Sequence, residues 1–282
     1  MGFARGTLIA AAVATATACD GVERERAEQA VDAHCTVQVD TAVGPRVVDV
    51  EVDYLPRVIA CENGAAAYGA LQVQAISARS YLYYRLARTG SIGDGTGDQV
   101  YTCPRPPTAD HVQAAAETAG LVLRYPPDTA AVQVAAFYVA GARPDPITCR
   151  GGGSDPTATE RHVTYNEGRS GLDVVQTSLG LINPMNLANR GAMSQRGSDC
   201  LAEQGRAYED IVRFYYGEDI AITRAVGACV RPAGGDEPGA GGGDVEGALD
   251  AGCAAGGGAG AIALLALAAL PWRGRRRRRR RG

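Results

Sequence analysis

The chain has no lysine, so all 28 of its basic residues are arginine. Together with 37 glycines, that marks a compositional bias toward Ala, Gly and Arg from which no function follows. Histidine occurs only three times (His34, His111, His162), and none of the eight cysteines falls in a C-x-x-C pair. Without those spacings a zinc site has no ready ligand set, and no metal or other cofactor is expected. There is no G-x-S-x-G elbow and no histidine placed to activate a serine, which argues against a serine nucleophile. Clustered positive charge is missing from the body as well. The formal net charge is −3, but Arg5, Arg273 and the run from Arg275 to Arg281 sit at the ends. Without these nine, 19 basic residues face 31 acidic ones, a balance of about −12. Polyanion binding draws on clustered cations, so nucleic acid is not an expected partner.

What is present at the ends points out of the cytoplasm. Residues 1–18 hold one arginine, an apolar run over 7–13 and Ala16-Thr17-Ala18, the pattern of a secretory signal with an A-x-A cleavage site. Cleavage there leaves Cys19 first, either as a lipidated cysteine or as the start of a freely secreted chain. Residues 19–34 are a charged spacer, and 230–250 turn to Gly, Pro, Asp and Glu, the composition of a tether. In 251–282, Cys253 precedes an apolar Gly/Ala/Leu run to Trp272 and then seven consecutive arginines. About 20 such residues can span a bilayer with the arginines held on the cytoplasmic side. The body, 35–229, reads as a single domain. Its six cysteines (Cys35, Cys61, Cys103, Cys149, Cys200, Cys229) behind an export signal read as disulfides, although the sequence does not choose among the pairings.

Within the body, Val37 and Val39 and then Val48, Val50 and Val52 alternate, so 47–54 is predicted as a strand with one buried face. Residues 67–87 are predicted as a central helix with a stripe of Leu71, Ala75, Ala78, Leu82 and Leu86, leaving Gln74, Arg79 and Ser80 off it. A loop over 89–97 ends in Asp98-Gln99-Val100-Tyr101, a short edge strand or turn. Gln99 suits amide hydrogen bonds to a saccharide and Tyr101 a stacking face, or both simply pack the loop. Next come a helix over 108–120 capped by Thr108 or Asp110, and strands over 121–125 and 131–139, the second apolar enough to be central. A Gly-rich insertion over 149–157, a helix from about 200, and a closing helix over 207–216 with Ile211, Phe214 and Tyr215 inward complete the body. The expected class is α+β, a curved mixed or antiparallel sheet packed on the central helix and stapled by disulfides.

One stretch organises these elements. Glu62 is a single carboxylate between the mostly apolar run 55–60 and a Gly/Ala turn, just ahead of the central helix. Apolar surroundings disfavour the charged form of a carboxyl and raise its pKa, which is how a general acid is prepared. The order Tyr54-Leu55-Pro56-Arg57-Val58-Ile59-x-x-Glu62, followed by Ala70-Leu71-x-x-Gln74-Ala75-Ile76-x-Ala78-Arg79-Ser80-Tyr81, resembles the SpoIID/LytB domain family. Two further blocks follow in the family's order: Asp98-Gln99-Val100-Tyr101, and Gly191-Ala192-Met193-Ser194-Gln195-Arg196-Gly197, with Ala192 where the family has Gly. A closing block, Gly205-x-x-Tyr208-x-x-Ile211 with Tyr215-Tyr216, extends the resemblance over 47–222. Two departures stand out. The family's E-M-P is Glu62-Asn63-Gly64 here, and the family's Y-H-S loop is replaced by Tyr138-Val139-Ala140, so its histidine is absent. The tail resembles a MYXO-CTERM sorting signal, which implies cutting near Cys253; a permanent transmembrane anchor is the alternative.

The resemblance implies an exported lytic transglycosylase acting on peptidoglycan glycan strands, with Glu62 as its acid and base. It makes Gln74 and Arg79 candidates for orienting Glu62 or the sugar chain. Asp98, Gln99 and Tyr101 become candidates for saccharide binding, and Ser194 and Gln195 for lining the groove, Ser194 being otherwise a helix N-cap. Asp98 is the one candidate second carboxylate. A glycan-binding protein without turnover, and a hydrolase releasing reducing muramic acid, are the other readings. Membrane or sorting machinery is the partner expected at the tail.

Overall fold

In the computed structural model, residues 31–126 and 131–230 are described. They belong to one unit, Met1–Gly235; a second, Asp236–Gly282, lies outside them, as do the expected leader, most of the spacer, the linker past residue 230 and the tail. Among the described residues no helix is long and apolar enough to cross a membrane.

The valine alternation forms a hairpin. β1 (Thr36–Thr41) pairs antiparallel with β2 (Gly44–Asp49), Val37 opposite Val48, and β3 (Ile92–Gly93) adds parallel to β1. Val37, Val39, Val48 and Val50 are buried as the period-two pattern requires. The strand does not continue to 54, however. The Asp49 side chain accepts the Val52 N–H at 2.8 Å and opens a π-helical turn, Val50–Tyr54, which leaves Val52 75% exposed. That turn runs into α1 (Leu55–Asn63), where Pro56 sits in the first turn and its missing N–H is no loss.

The central helix, α2 (Tyr68–Thr89), is where the sequence places it. It carries more than one buried stripe. Leu71, Ala75, Ala78 and Leu82 pack into a core with Val37, Val39, Tyr54 and Ile59. Val73 and Ile76 face a second core with Leu123, Met193, Phe214 and Tyr216. A helix flanked on two sides has little solvated face, so Gln74, Arg79 and Ser80, expected off the stripe, are buried too.

α3 (Ala109–Glu117) starts after Thr108, whose N–H donates to His111 Nδ1 at 2.8 Å. Gly120, at φ +72°, turns the chain into β4 (Leu121–Tyr125), which lies between β5 (Val132–Gln133) and β8 (Ala221–Arg224), antiparallel to both. The expected central strand over 131–139 is broken. Ala136 adopts φ +32°, and the chain leaves β5 to form β6 (Phe137–Val139), which pairs parallel with β7 (Ala192–Ser194). Only Val134, Ala135 and Ala136 of this run are buried, where the chain crosses between two sheets, Val134 N–H donating to Leu123 O and Ala135 N–H to Ala188 O. α4 (Gln195–Glu203) begins five positions ahead of the expected 200, since Ser194 caps it, and α5 (Tyr208–Tyr216) closes the core with Ile211, Phe214 and Tyr215.

The described residues are thus α+β with five α-helices, but instead of one curved sheet there are three small ones, of three, three and two strands. Disulfides join Cys35 to Cys229, Cys61 to Cys103 and Cys149 to Cys200. The first clips the two ends of the body together, a loop closure that typically contributes about 2–4 kcal/mol.

Candidate active site

Glu62 stands in the last turn of α1, half-buried. Its Oε1 accepts the Val100 N–H at 2.8 Å, and its Oε2 accepts from Gln195 Nε2 at 3.3 Å. Burial raises its pKa above the ordinary 4.5, and these two donors only partly oppose the shift; no cation is among the influences on it. The Cys61–Cys103 disulfide ties the residue before Glu62 to the segment that carries Val100. The segment after Glu62 is constrained as well. A Cβ on Gly64 would lie 2.3 Å from Ala60 O, so this turn has no room for the proline that the family carries there.

Gln195 reaches Glu62 because Ser194 and Asp199 fix its helix. The Ser194 hydroxyl accepts the Gly197 N–H at 3.0 Å, and Asp199 accepts the Ala67 N–H at 2.7 Å, joining α4 to the start of α2. Gln195 Nε2 is also 3.4 Å from Gln74 Oε1, so Glu62, Gln195 and Gln74 form one cluster. Gln74 Nε2 has no partner although Gln74 is fully buried.

The other expected site residues are elsewhere engaged. Arg79, expected beside Glu62 or the sugar, is 0% exposed. Its Nε and Nη2 donate to the two Glu51 carboxylate oxygens at 2.8 and 2.6 Å, and Nη1 donates to Leu121 O at 3.1 Å. A fully buried guanidinium in a bidentate pair has nothing left to offer a sugar, so Arg79 holds the core instead. Gln99 is also fully buried: its Oε1 accepts from the Tyr54 hydroxyl at 2.6 Å and its Nε2 donates to Ala78 O and the Tyr138 hydroxyl. Tyr101 is 2% exposed, stacked on Tyr54 at 5.7 Å with the Arg57 guanidinium over its ring, so it presents no face to a saccharide. Ser194, at 1% exposure, is the helix N-cap rather than a groove wall. Asp98 accepts from the Tyr81 hydroxyl and the Gly93 N–H, both at 2.9 Å, and pairs with Arg85, so it is no free second carboxylate for Glu62.

Three contributors escaped the sequence reading. Val100 acts through its backbone, which leaves no side-chain signal. Glu51 is invisible without the fold that brings it to Arg79. Tyr138, whose own ionisation is disfavoured first by burial and then by the Glu62 charge, was signalled by its place at the family's Y-H-S tyrosine. His162 also has a serine partner, its Nδ1 lying 2.6 Å from Ser178 Oγ. Arg161 Nε donates to His162 Nε2 at 3.0 Å, so the neutral ring keeps its proton on Nδ1 and donates it to the serine rather than activating it. A larger cavity, about 390 Å³ between Val174, Ile182, Leu187 and Arg190, does not include Glu62, and its arginine is paired with Asp219.

With this geometry in view, the comparisons with known proteins are short. No curated protein matches the chain. Residues 45–125 match the model of the SpoIID family, Stage II sporulation protein. That match runs from β2 to β4 and contains Glu62, Gln74, Arg79, Asp98, Gln99 and Tyr101, while Ser194 and Gln195 lie beyond it. It shows that the part of the body carrying Glu62 is similar to the SpoIID family.

Proposed function

We propose that this protein is an exported peptidoglycan lytic transglycosylase, cutting glycan strands between N-acetylmuramic acid and N-acetylglucosamine. The similarity of 45–125 to a Stage II sporulation protein supports a cell-wall role. The chemistry rests on one observation: Glu62 is a half-buried carboxyl of raised pKa with no cation paired to it. Val100 N–H holds Oε1 as an acceptor at 2.8 Å, so Oε2, bonded at the longer 3.3 Å, is the oxygen that carries the proton. Glu62 protonates the glycosidic oxygen from there, and the bond between that oxygen and the muramyl C1 breaks, the N-acetylglucosamine leaving with a free hydroxyl. Once ionised, Glu62 takes the proton of the muramyl C6 hydroxyl, whose oxygen closes on C1 to give the 1,6-anhydro ring. This sequence needs one carboxyl and no second carboxylate to position a water, in keeping with the engagement of Asp98 by Arg85. Export and retention at the envelope, through the leader and the tail with membrane or sorting machinery, belong to the same proposal and rest on the terminal motifs.

In the full chain, Glu62→Gln is expected to lower the release of anhydromuropeptides by about 10²–10⁴-fold, read by chromatography of the soluble products. Release at the wild-type rate would sink the enzymatic reading, and reducing muramic acid ends would make the protein a hydrolase. A glycan-binding protein without turnover is the second reading. It is favoured by the two N–H donors on Glu62, which work against its protonation.

A further inference from the structure

A cleft beside Tyr138 plays no part in the chemistry given to Glu62. It has a volume of about 150 Å³ and is lined by Tyr81, Phe137, Tyr138 and Leu179 with the 96–98 loop. We propose that this cleft is a saccharide subsite that takes one pyranose ring of the strand whose linkage Glu62 protonates; the inference rests on the reading of the preceding subsection.

The cleft, about 150 Å³ and open on one side, is of the order of one six-membered ring, with room for ring substituents only on its open side. The walls suit the apolar faces of a sugar. The Tyr81 and Phe137 rings lie 5.7 Å apart at 60°, with Tyr84 6.4 Å from Phe137, so the rings are held before any ligand arrives. All three lining aromatics remain partly exposed, unlike the buried Tyr101. The polar side is a carboxylate: Asp98 borders the cleft and is fixed by Arg85, the Tyr81 hydroxyl and the Gly93 N–H. Arg85 contacts both Asp98 oxygens, so with the Tyr81 hydroxyl and the Gly93 N–H four donors meet the about four acceptor positions, and the carboxylate holds the wall in place rather than offering a free acceptor.

The cleft is also joined to the acid by the backbone. β6, which supplies Phe137, Tyr138 and Val139, pairs with β7 so that Val139 lies opposite Ser194, and the next residue, Gln195, bonds Glu62. Tyr138 both lines the cleft and feels the Glu62 charge. Tyr81 and Phe137 supply the stacking face that the sequence suggested for Tyr101.

The test uses the full chain in a Glu62→Gln background and measures equilibrium binding of soluble peptidoglycan glycan strands. Phe137→Ala removes a wall. Gly97→Phe adds bulk at the exposed rim of the cleft, where a Cβ meets nothing within 4 Å and the backbone lies outside the left-handed region, so the side chain enters without a clash. Each is expected to weaken binding about tenfold. Binding that is indifferent to both overturns the subsite while leaving the reading of Glu62 intact. No binding by the Glu62→Gln chain overturns both. Binding weakened by both variants, in a wild-type chain that yields no anhydro product, supports the subsite and overturns the transglycosylase.

Discussion

The stretches 45–125 and 131–230 hold their chains in place by different means. The first is built on regular elements: a hairpin strand, three helices and β4, with one buried ion pair, Arg79–Glu51, closing the core between them. The second has a long irregular run between β6 and β7, and side-chain amides organise it. Asn166, fully buried, donates from Nδ2 to Val175 O, Arg190 O and Tyr215 O and accepts the Val175 N–H on Oδ1. Asn189 and Thr177 similarly exchange two bonds, Thr177 N–H to Oδ1 and Nδ2 to Thr177 O. Where helices and strands satisfy their own backbone groups, side chains are free to form cores and sites. Where the backbone is irregular, polar side chains must do that work.

Breaking the first kind of support has the larger expected effect. Arg79→Met leaves Glu51 buried without its partner and is expected to lower unfolding stability by about 3–5 kcal/mol in denaturant titrations. The double variant with Glu51→Met should recover most of that loss, because a well-packed apolar replacement of both charges is often neutral. If the single variant unfolds as the wild type does, the ion pair is not what closes that core. On the other side, Asn166→Ala strands several buried groups at once and is expected to lower stability by about 2–3 kcal/mol, with hydrogen exchange rising first over 164–190. Ser194→Ala removes a cap and is expected to cost about 1 kcal/mol. Since that cap fixes Gln195 beside Glu62, glycan cleavage should fall further than the stability change alone accounts for.

The smallest effect concerns pH and tests the environment of Glu62 directly. Its pKa is raised in the fold by burial, so as pH rises the unfolded chain releases this proton first. The stability linked to it is full below the ordinary value of 4.5 and is lost as pH climbs through the raised folded value. Glu62→Gln should therefore match the wild type in acid and become the more stable of the two toward neutral pH. Cleavage by the wild type should decline over the same rising limb, because the acid form is consumed. A gap of the opposite sign in the unfolding curves would mean that the two N–H donors outweigh burial.

Much of the chain from β1 to β4 could be read directly. The valine alternation of 37–50 and the stripe from Leu71 to Leu82 are local patterns with one buried face each, and both formed as expected. The run over 131–139 misled because apolarity does not report regularity; only 134–136 are buried, at a crossing between two sheets rather than in a central strand. The 47–54 alternation misled for a local reason, since Asp49 caps a π turn in the middle of it. Of the candidate site, the sequence named Glu62, Gln74 and Gln195, and the fold brings these three into one hydrogen-bonded cluster. Arg79 was given the wrong work, and Gln99 and Tyr101 were left open between saccharide contact and packing, because a polar residue in a motif looks the same whether it touches a ligand or satisfies a buried neighbour.

Sequence alone was enough to determine the lone acid ahead of a long helix, the pairing of six body cysteines with one another in some arrangement, and the α+β class, because each is written in local spacing or in counts. Only the tertiary structure decided which cysteines meet, that Val100 N–H and Gln195 converge on Glu62, and that Arg79 serves Glu51. Those contacts join residues far apart in the chain. Their partners are selected by how α2 is sandwiched between two cores, a property of the packed whole that no short window of residues contains.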